Sequence, residues 1–278
     1  MEKRDFSSTL EFTNDGKLSL FFIGAGTAFA KNTFQTNLLI VKGQTHVLVD
    51  CGTMCGYAFE NVYNAKMLSV TNLLLTHAHA DHIGGVEELA FSSRYINKAK
   101  INLIITDKFK KKLWNESLKG GFHYCEDGVL SFDDYFNQFK PAKIAKKPYE
   151  LYEIDFGGIN IKLIRTRHVT TRKNSYKNSL ISYGLIIDNR IFFTGDTQFQ
   201  KEQLEWVLKN FPIETVLHDC DVLGYSEGVH ASYTQLQTLP EEIKKKMYLC
   251  HYQKMIGLLD IKKDGFAGFV EQGVYYDF

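Results

Sequence analysis

The sequence predicts an α/β fold in which two β-sheets pack together and carry helices on their outer faces. Two observations predict it. Short apolar runs of strand length recur along the chain, and amphipathic helical patterns interleave with some of them. A third observation concerns organisation. The chain has 278 residues and no evident linker, and two-sheet α/β folds approach this size as one unit, so a single domain over 1–278 is expected.

The strand runs fall at residues 18–23, 37–41, 46–49, 72–75, 101–105, 159–164, 180–187, 191–193, 215–217 and 247–250. They are rich in β-branched and aromatic side chains, and most end at Gly, Asn or Asp. Gly157-Gly158 and Asp188-Asn189 predict turns between paired strands. Helices are predicted at 59–68, 81–95 and 199–209, the last with Leu204, Val207 and Leu208 on one face. Residues 107–150 differ. They hold lysines and many aromatics, among them Phe109, Trp114, Phe122, Tyr135 and Phe136. A helical or irregular insertion is expected there, serving as a lid, a dimer arm or an extra layer of packing.

Apolar residues make up 44% and charged residues 23%, as in an ordinary globular protein. Basic and acidic residues number 33 and 32, for a net charge of +1. That balance argues against a large nucleic-acid partner and leaves room for a small anionic substrate held by local charge. The five cysteines, Cys51, Cys55, Cys125, Cys220 and Cys250, are odd in number and irregular in spacing. They read as reduced thiols of an intracellular protein. Residues 1–15 are polar, and no apolar run approaches the roughly 18 residues of a membrane span. A cytoplasmic location without membrane attachment is expected, in a host cytoplasm if the gene is viral.

The densest chemistry lies at Thr76-His77-Ala78-His79-Ala80-Asp81-His82, directly after a predicted strand. Three of the chain's nine histidines fall here. Alternate residues of an extended segment point the same way, so His77 and His79 can share one metal. Asp81 and His82 then open a helix and can face a second. Imidazole and carboxylate donors in this mixture suit zinc, manganese or iron. Gly84-Gly85 allows the helix start to pack closely on this loop.

H-x-H-x-D-H after a strand resembles the signature of the metallo-β-lactamase superfamily, and further residues match in order: Asp50, His168 after the 159–164 strand, Asp196 in Gly195-Asp196-Thr197, and His251. The resemblance implies the four-layer αββα metallo-β-lactamase fold. It also implies two divalent metal ions, zinc first and manganese second. His77, His79 and His168 would hold one, and Asp81, His82 and His251 the other, with Asp196 bridging. A hydroxide shared by the pair would attack the substrate, and Asp81 would help to position it. Asp50 would orient a histidine ligand.

Two further segments narrow the branch. Gly24-Ala25-Gly26-Thr27-Ala28-Phe29 resembles the opening of the RNase Z-like nucleases and their phosphodiesterase relatives. Gly228-Val229-His230-Ala231-Ser232, preceded by His218-Asp219, resembles their extra catalytic histidine and its carboxylate partner. His230 would then be the general acid and Asp219 its orienter. Only residues 169–195 lie between His168 and Asp196, too few for the tRNA-gripping arm usual in the endonucleases. The later pattern, through Leu239-Pro240-Glu241-Glu242 to His251-Tyr252, resembles the bacterial and phage anti-Pycsar phosphodiesterases. The resemblance implies a homodimer that hydrolyses 3′,5′-cyclic mononucleotides to 5′-mononucleotides; a tRNA 3′-processing endonuclease is the alternative. The basic loop 170–179 is expected to contact substrate or to stand as a solvated hairpin tip.

Overall fold

Apolar runs buried on both faces build the framework. The computed structural model describes residues 1–171, 175–226, 228–253 and 259–278. The chain divides into two units, one of residues 1–24, 34–141 and 272–278, the other of residues 25–33 and 142–271. Each is organised around one eight-stranded mixed sheet.

In the first unit the strand order is Glu2–Asp5, Val274–Asp277, Ser19–Gly24, Asn37–Lys42, Thr45–Val49, Asn72–Leu74, Ile101–Ile104 and Phe136–Phe139. The strands from Glu2–Asp5 to Thr45–Val49 pair antiparallel, and those from Thr45–Val49 onward pair parallel. Ser19–Gly24 is buried along its whole length, which explains an apolar run without alternation. The parallel strands Thr45–Val49 and Asn72–Leu74 end side by side, and Asp50 and His77 follow them. The carboxyl ends of parallel strands are where ligand sites form in open α/β sheets.

The second sheet has the order Ala142–Ala145, Leu151–Phe156, Ile159–Thr170, Ser179–Ile187, Ile191–Phe193, Thr215–Asp219, Met247–Cys250 and Gly268–Phe269. Its first five strands are antiparallel, and the rest pair parallel. Gly157-Gly158 and Asp188-Asn189 turn the chain with positive φ at all four residues. The helix Lys201–Asn210 buries Leu204 and Val207 in this unit's core, which also holds Ile164, Ile186, Val216 and Met247.

Three expectations need correction. The strand predicted at 159–164 continues to Thr170, so His168 lies within it and not after it. A register shift between His168 and Thr170, with Val169 at φ +44°, ejects Val169 and keeps His168 buried. The helix predicted at 59–68 runs instead from Cys55 to Asn61, with a separate 3₁₀ turn at Met67–Ser69. Asn64 takes φ +46°, and Tyr63 leaves the helical stripe to donate its hydroxyl to the Ile23 carbonyl. The helix predicted at 81–95 is broken into Ala80–Ile83, Val86–Ser92 and a wider π turn at Ser93–Asn97. A Cβ on Gly85 would meet the Gly52 carbonyl at 2.6 Å, so the chain bends there against the strand-end loop.

Residues 107–141 form the helix Asp107–Leu113 with further turns to Phe122, a hairpin, the short helix Phe132–Tyr135 and the edge strand Phe136–Phe139. Phe109, Phe122, Phe132, Tyr135 and Phe136 are buried in the first unit. Residues 142–150 belong to the second unit. No described helix is long and apolar enough to cross a membrane.

Candidate metal centre

In the first unit the site begins at a strained residue. Asp50 follows the strand Thr45–Val49 and takes φ +64°, a left-handed conformation uncommon for a residue with a side chain. Its carboxylate accepts the Thr76 N–H (2.7 Å), the Thr76 hydroxyl (2.7 Å) and His82 Nδ1–H (2.7 Å). Burial pushes the Asp50 carboxyl up, and His82 and Thr76 pull against that shift. The Thr76 hydroxyl has one proton and gives it to Asp50. His77 Nδ1, 3.0 Å from that oxygen, must therefore donate to it. Asp50 thus sets His82 directly and His77 through Thr76, and in both rings Nε2 is left with its lone pair.

Those two rings lie 4.0 Å apart, and His77 Nε2 is 3.1 Å from His79 Nδ1. His79 caps the helix Ala80–Ile83, which carries Asp81 and His82, and His82 Nε2 is 3.1 Å from Asp81 Oδ2. Gly52 lets the Asp81 carbonyl approach, since a Cβ there would meet that oxygen at 2.1 Å. The four predicted donors of the H-x-H-x-D-H segment are therefore gathered at one strand end.

The second unit gathers its donors from separate strands. Asp196 follows Ile191–Phe193, Asp219 ends Thr215–Asp219 and His251 follows Met247–Cys250, at the carboxyl ends of three parallel neighbours. His251, like Asp50, takes positive φ (+57°). Asp196 Oδ2 lies 3.3 Å from His251 Nε2 and 3.8 Å from His168 Nε2. His168 Nδ1–H donates to the Val229 carbonyl (3.1 Å), which again leaves Nε2 with its lone pair. Imidazoles held through Nδ1 with Nε2 lone pairs beside carboxylates are what a divalent cation binds, so the donor set fits.

His230 stands in the same cluster. One donor atom each of Asp196, Asp219, His230 and His251 lies within 4.8 Å of the others. His230 Nδ1 is 2.7 Å from Asp219 Oδ2, and its ring stacks on His251 with centroids 4.7 Å and planes 21° apart. Burial alone would lower the His230 pKa. Asp219 overrides it, with help from Asp196 and Asp221, and pushes it up to about 9. Asp219 also faces a second ring: its other oxygen lies 3.5 Å from His251 Nδ1, and the Thr197 N–H holds Oδ2 at 2.9 Å.

Sequence reasoning passed over three contributors. Thr76 relays Asp50 to His77, and Thr197 anchors Asp219. Gln198 donates from Nε2 to the Gly228 carbonyl and to Thr170 Oγ1 (3.1 Å), pinning the His230 loop. The signal for Thr76 was present, a hydroxyl at the end of an apolar strand beside H-x-H. Nothing in the sequence marked the others. In the basic loop 170–179, Arg172, Lys173 and Asn174 lie outside the described residues. Tyr176 of the same loop donates its hydroxyl to Gln200 Oε1 at 2.7 Å.

Known structures share this architecture. The metallo-β-lactamase-fold protein YhfI of Bacillus subtilis superposes with a TM-score of 0.67 at 15% identity, over 94% of this chain and 100% of that one. The short form of human tRNase Z (ELAC1) gives 0.61 at 15%, over 93% and 98%. Fold and donors together define a metal-dependent hydrolase of the metallo-β-lactamase fold. Among curated proteins, the anti-Pycsar protein Apyc1 of Paenibacillus xerothermodurans is 31% identical over 261 residues, 94% of this chain and 98% of its own. That of Bacillus phage vB_BsuM-Goe3 is 33% identical over 260 residues, 91% and 96%. The chain belongs to the anti-Pycsar protein Apyc1 family, whose family model matches residues 18–276.

Proposed function

We propose that the protein is a phosphodiesterase that hydrolyses 3′,5′-cyclic mononucleotides to 5′-mononucleotides. One observation carries the reading: the half-buried His230 and the buried Asp219, 2.7 Å apart, beside Asp196 and His251. A thiolesterase of this fold, whose thiolate departs without needing a proton, has no use for a carboxylate-held imidazole there. An ester whose leaving group is an alkoxide does. Membership of the anti-Pycsar family supports the choice of a cyclic nucleotide.

In this reading His77, His79 and His168 would hold one divalent ion, Asp81, His82 and His251 would hold a second, and Asp196 would serve both. When bound, such ions would supply positive charge for the phosphoryl oxygens and lower the pKa of water. The chain's own residues do the rest. Asp50 and Thr76 hold His82 and His77 in the tautomer that presents Nε2. Asp81 positions the attacking water. As oxygen from water joins phosphorus, the bond to the 3′ oxygen breaks and His230 protonates that oxygen. Asp219 stabilises the imidazolium beforehand and keeps its ring in place. The near-neutral charge suits a small anion better than a tRNA.

The test is purified protein with zinc or manganese against a panel of 3′,5′-cyclic mononucleotides, with products separated by chromatography. Release of 5′-mononucleotides is expected. Inert cyclic nucleotides, with cleavage of precursor tRNA by the same preparation, would replace this reading by that of a 3′ endonuclease.

A further inference from the structure

Beside His230 the second unit contains a cavity of about 310 Å³, lined also by His251, Phe29 and Tyr225. Phe29 is 89% exposed and Tyr225 83%, the highest exposures of any large apolar side chains among the described residues. Exposed aromatics on a cavity that also holds candidate catalytic histidines suggest a ligand contact.

The backbone behind both rings is built rather than loose. Asp221 accepts the N–H groups of Leu223 (3.2 Å), Gly224 (2.9 Å) and Ser226 (2.7 Å), the Ser226 hydroxyl (2.6 Å) and Gln253 Nε2 (2.8 Å). Gln253 Oε1 in turn accepts the Val222 N–H at 2.9 Å. Tyr225 therefore projects from a loop whose polar groups converge on one carboxylate. On the other side, Thr27 N–H donates to the Tyr252 carbonyl (3.3 Å), and Ala30 N–H closes a turn on Thr27 (3.0 Å). Phe29 projects from that turn, which hangs on the residue following His251. Two rings presented by preset loops lose little freedom on binding.

Chemistry says what lies there. The 3′ oxygen that His230 protonates belongs to the ribose, and the same ribose carries the base. When that oxygen is at His230, the base lies one sugar ring away, and the aromatic-lined cavity begins at His230. Every base has a π face, and stacking on an aromatic side chain is worth about 1–3 kcal/mol per base.

We propose that Phe29 and Tyr225 form the nucleobase subsite of this cavity and grip the base by its face. The proposal rests on the cyclic nucleotide reading, and its test separates the two. The zinc-loaded full chain and its F29A/Y225A and Y225F variants are titrated calorimetrically with two slowly hydrolysed phosphorothioates, that of cyclic AMP and that of the base-free cyclic phosphate of 1-deoxyribose. The double variant is expected to bind the nucleotide about 10–100-fold more weakly and the base-free compound with unchanged affinity. Y225F should keep the nucleotide affinity, because stacking needs the ring and not the hydroxyl. Equal nucleotide affinity in the double variant, or an equal loss for both compounds, overturns the subsite alone. A wild-type chain that binds neither compound overturns the cyclic nucleotide reading and the subsite with it. Sedimentation of the same samples adds a last outcome: a loss of affinity that tracks a change in mass makes the two rings an interface between copies and overturns the proposal.

Discussion

The two units prepare their donors by different means. In the first, His77, His79, Asp81 and His82 occupy one strand-end turn and the helix that follows, and one carboxylate, Asp50, organises them from behind. In the second, His168, Asp196, Asp219, His230 and His251 come from five separate segments, and three of them, Asp196, Asp219 and His251, are brought together by parallel strands that end side by side. A contiguous cluster is set by local geometry. A dispersed one depends on every strand end, bulge and turn being right, and its central carboxylate, Asp219, is shared by two histidines with different proposed tasks.

The sharpest way to break this comparison is to remove a donor from the contiguous cluster. His79→Ala or Asp81→Ala is expected to abolish turnover and to lower bound metal, read by elemental analysis beside kcat. Loss of activity with full metal content would contradict their assignment as ligands. Next in size is His230→Ala, which should lower kcat by about 10²–10⁴-fold with metal content unchanged. Wild-type turnover in that variant would end the proton-donor role.

The two supporting carboxylates sharpen the contrast. Asp50→Asn should weaken metal retention by about 10–100-fold and leave kcat at saturating metal close to wild type. Asp219→Asn should weaken retention similarly and also lower kcat at saturating metal, because its two oxygens face His251 and His230. If the two variants behave alike, Asp219 is no more than a second Asp50.

The smallest expected effect lies in the first unit, away from the donors. Burial lowers the His46 pKa from 6.5 to about 4, and its Nε2 accepts the Thr71 N–H at 3.1 Å. The folded pKa is below the unfolded one, so the unfolded chain takes up the proton first as pH falls. The stabilising contribution is complete above pH 6.5 and is lost on acidification towards pH 4. Denaturation at pH 7 and pH 5 should differ by about 1–2 kcal/mol from this residue. His46→Gln should flatten that difference, and an unchanged slope would remove His46 as its source.

Much of this was legible beforehand, for identifiable reasons. Strand runs are marked by burial on both faces, so most of the predicted runs appear within a residue or two of their places. Gly157-Gly158 and Asp188-Asn189 turn as their positive φ requires. The two misread helices share a cause. The helices predicted at 59–68 and 81–95 followed apolar periodicity across points where the backbone leaves it, at Asn64 and at Gly84-Gly85. Periodicity reports which side chains are apolar. It does not report a tyrosine hydroxyl drawn to the Ile23 carbonyl, or a glycine pressed against the Gly52 carbonyl.

The sequence by itself determined the fold class, the donor inventory and the order of donors along the chain. Those follow from residue type and near-neighbour spacing, which folding does not alter. Only the tertiary structure decided what Nδ1 of His77, His82 and His168 bonds to, that Asp219 reaches two rings, and that Phe29 and Tyr225 share a cavity with His230. Each of these joins residues through a hydrogen bond or a shared space, and such partners are chosen by where the strands end, which no local stretch of sequence contains.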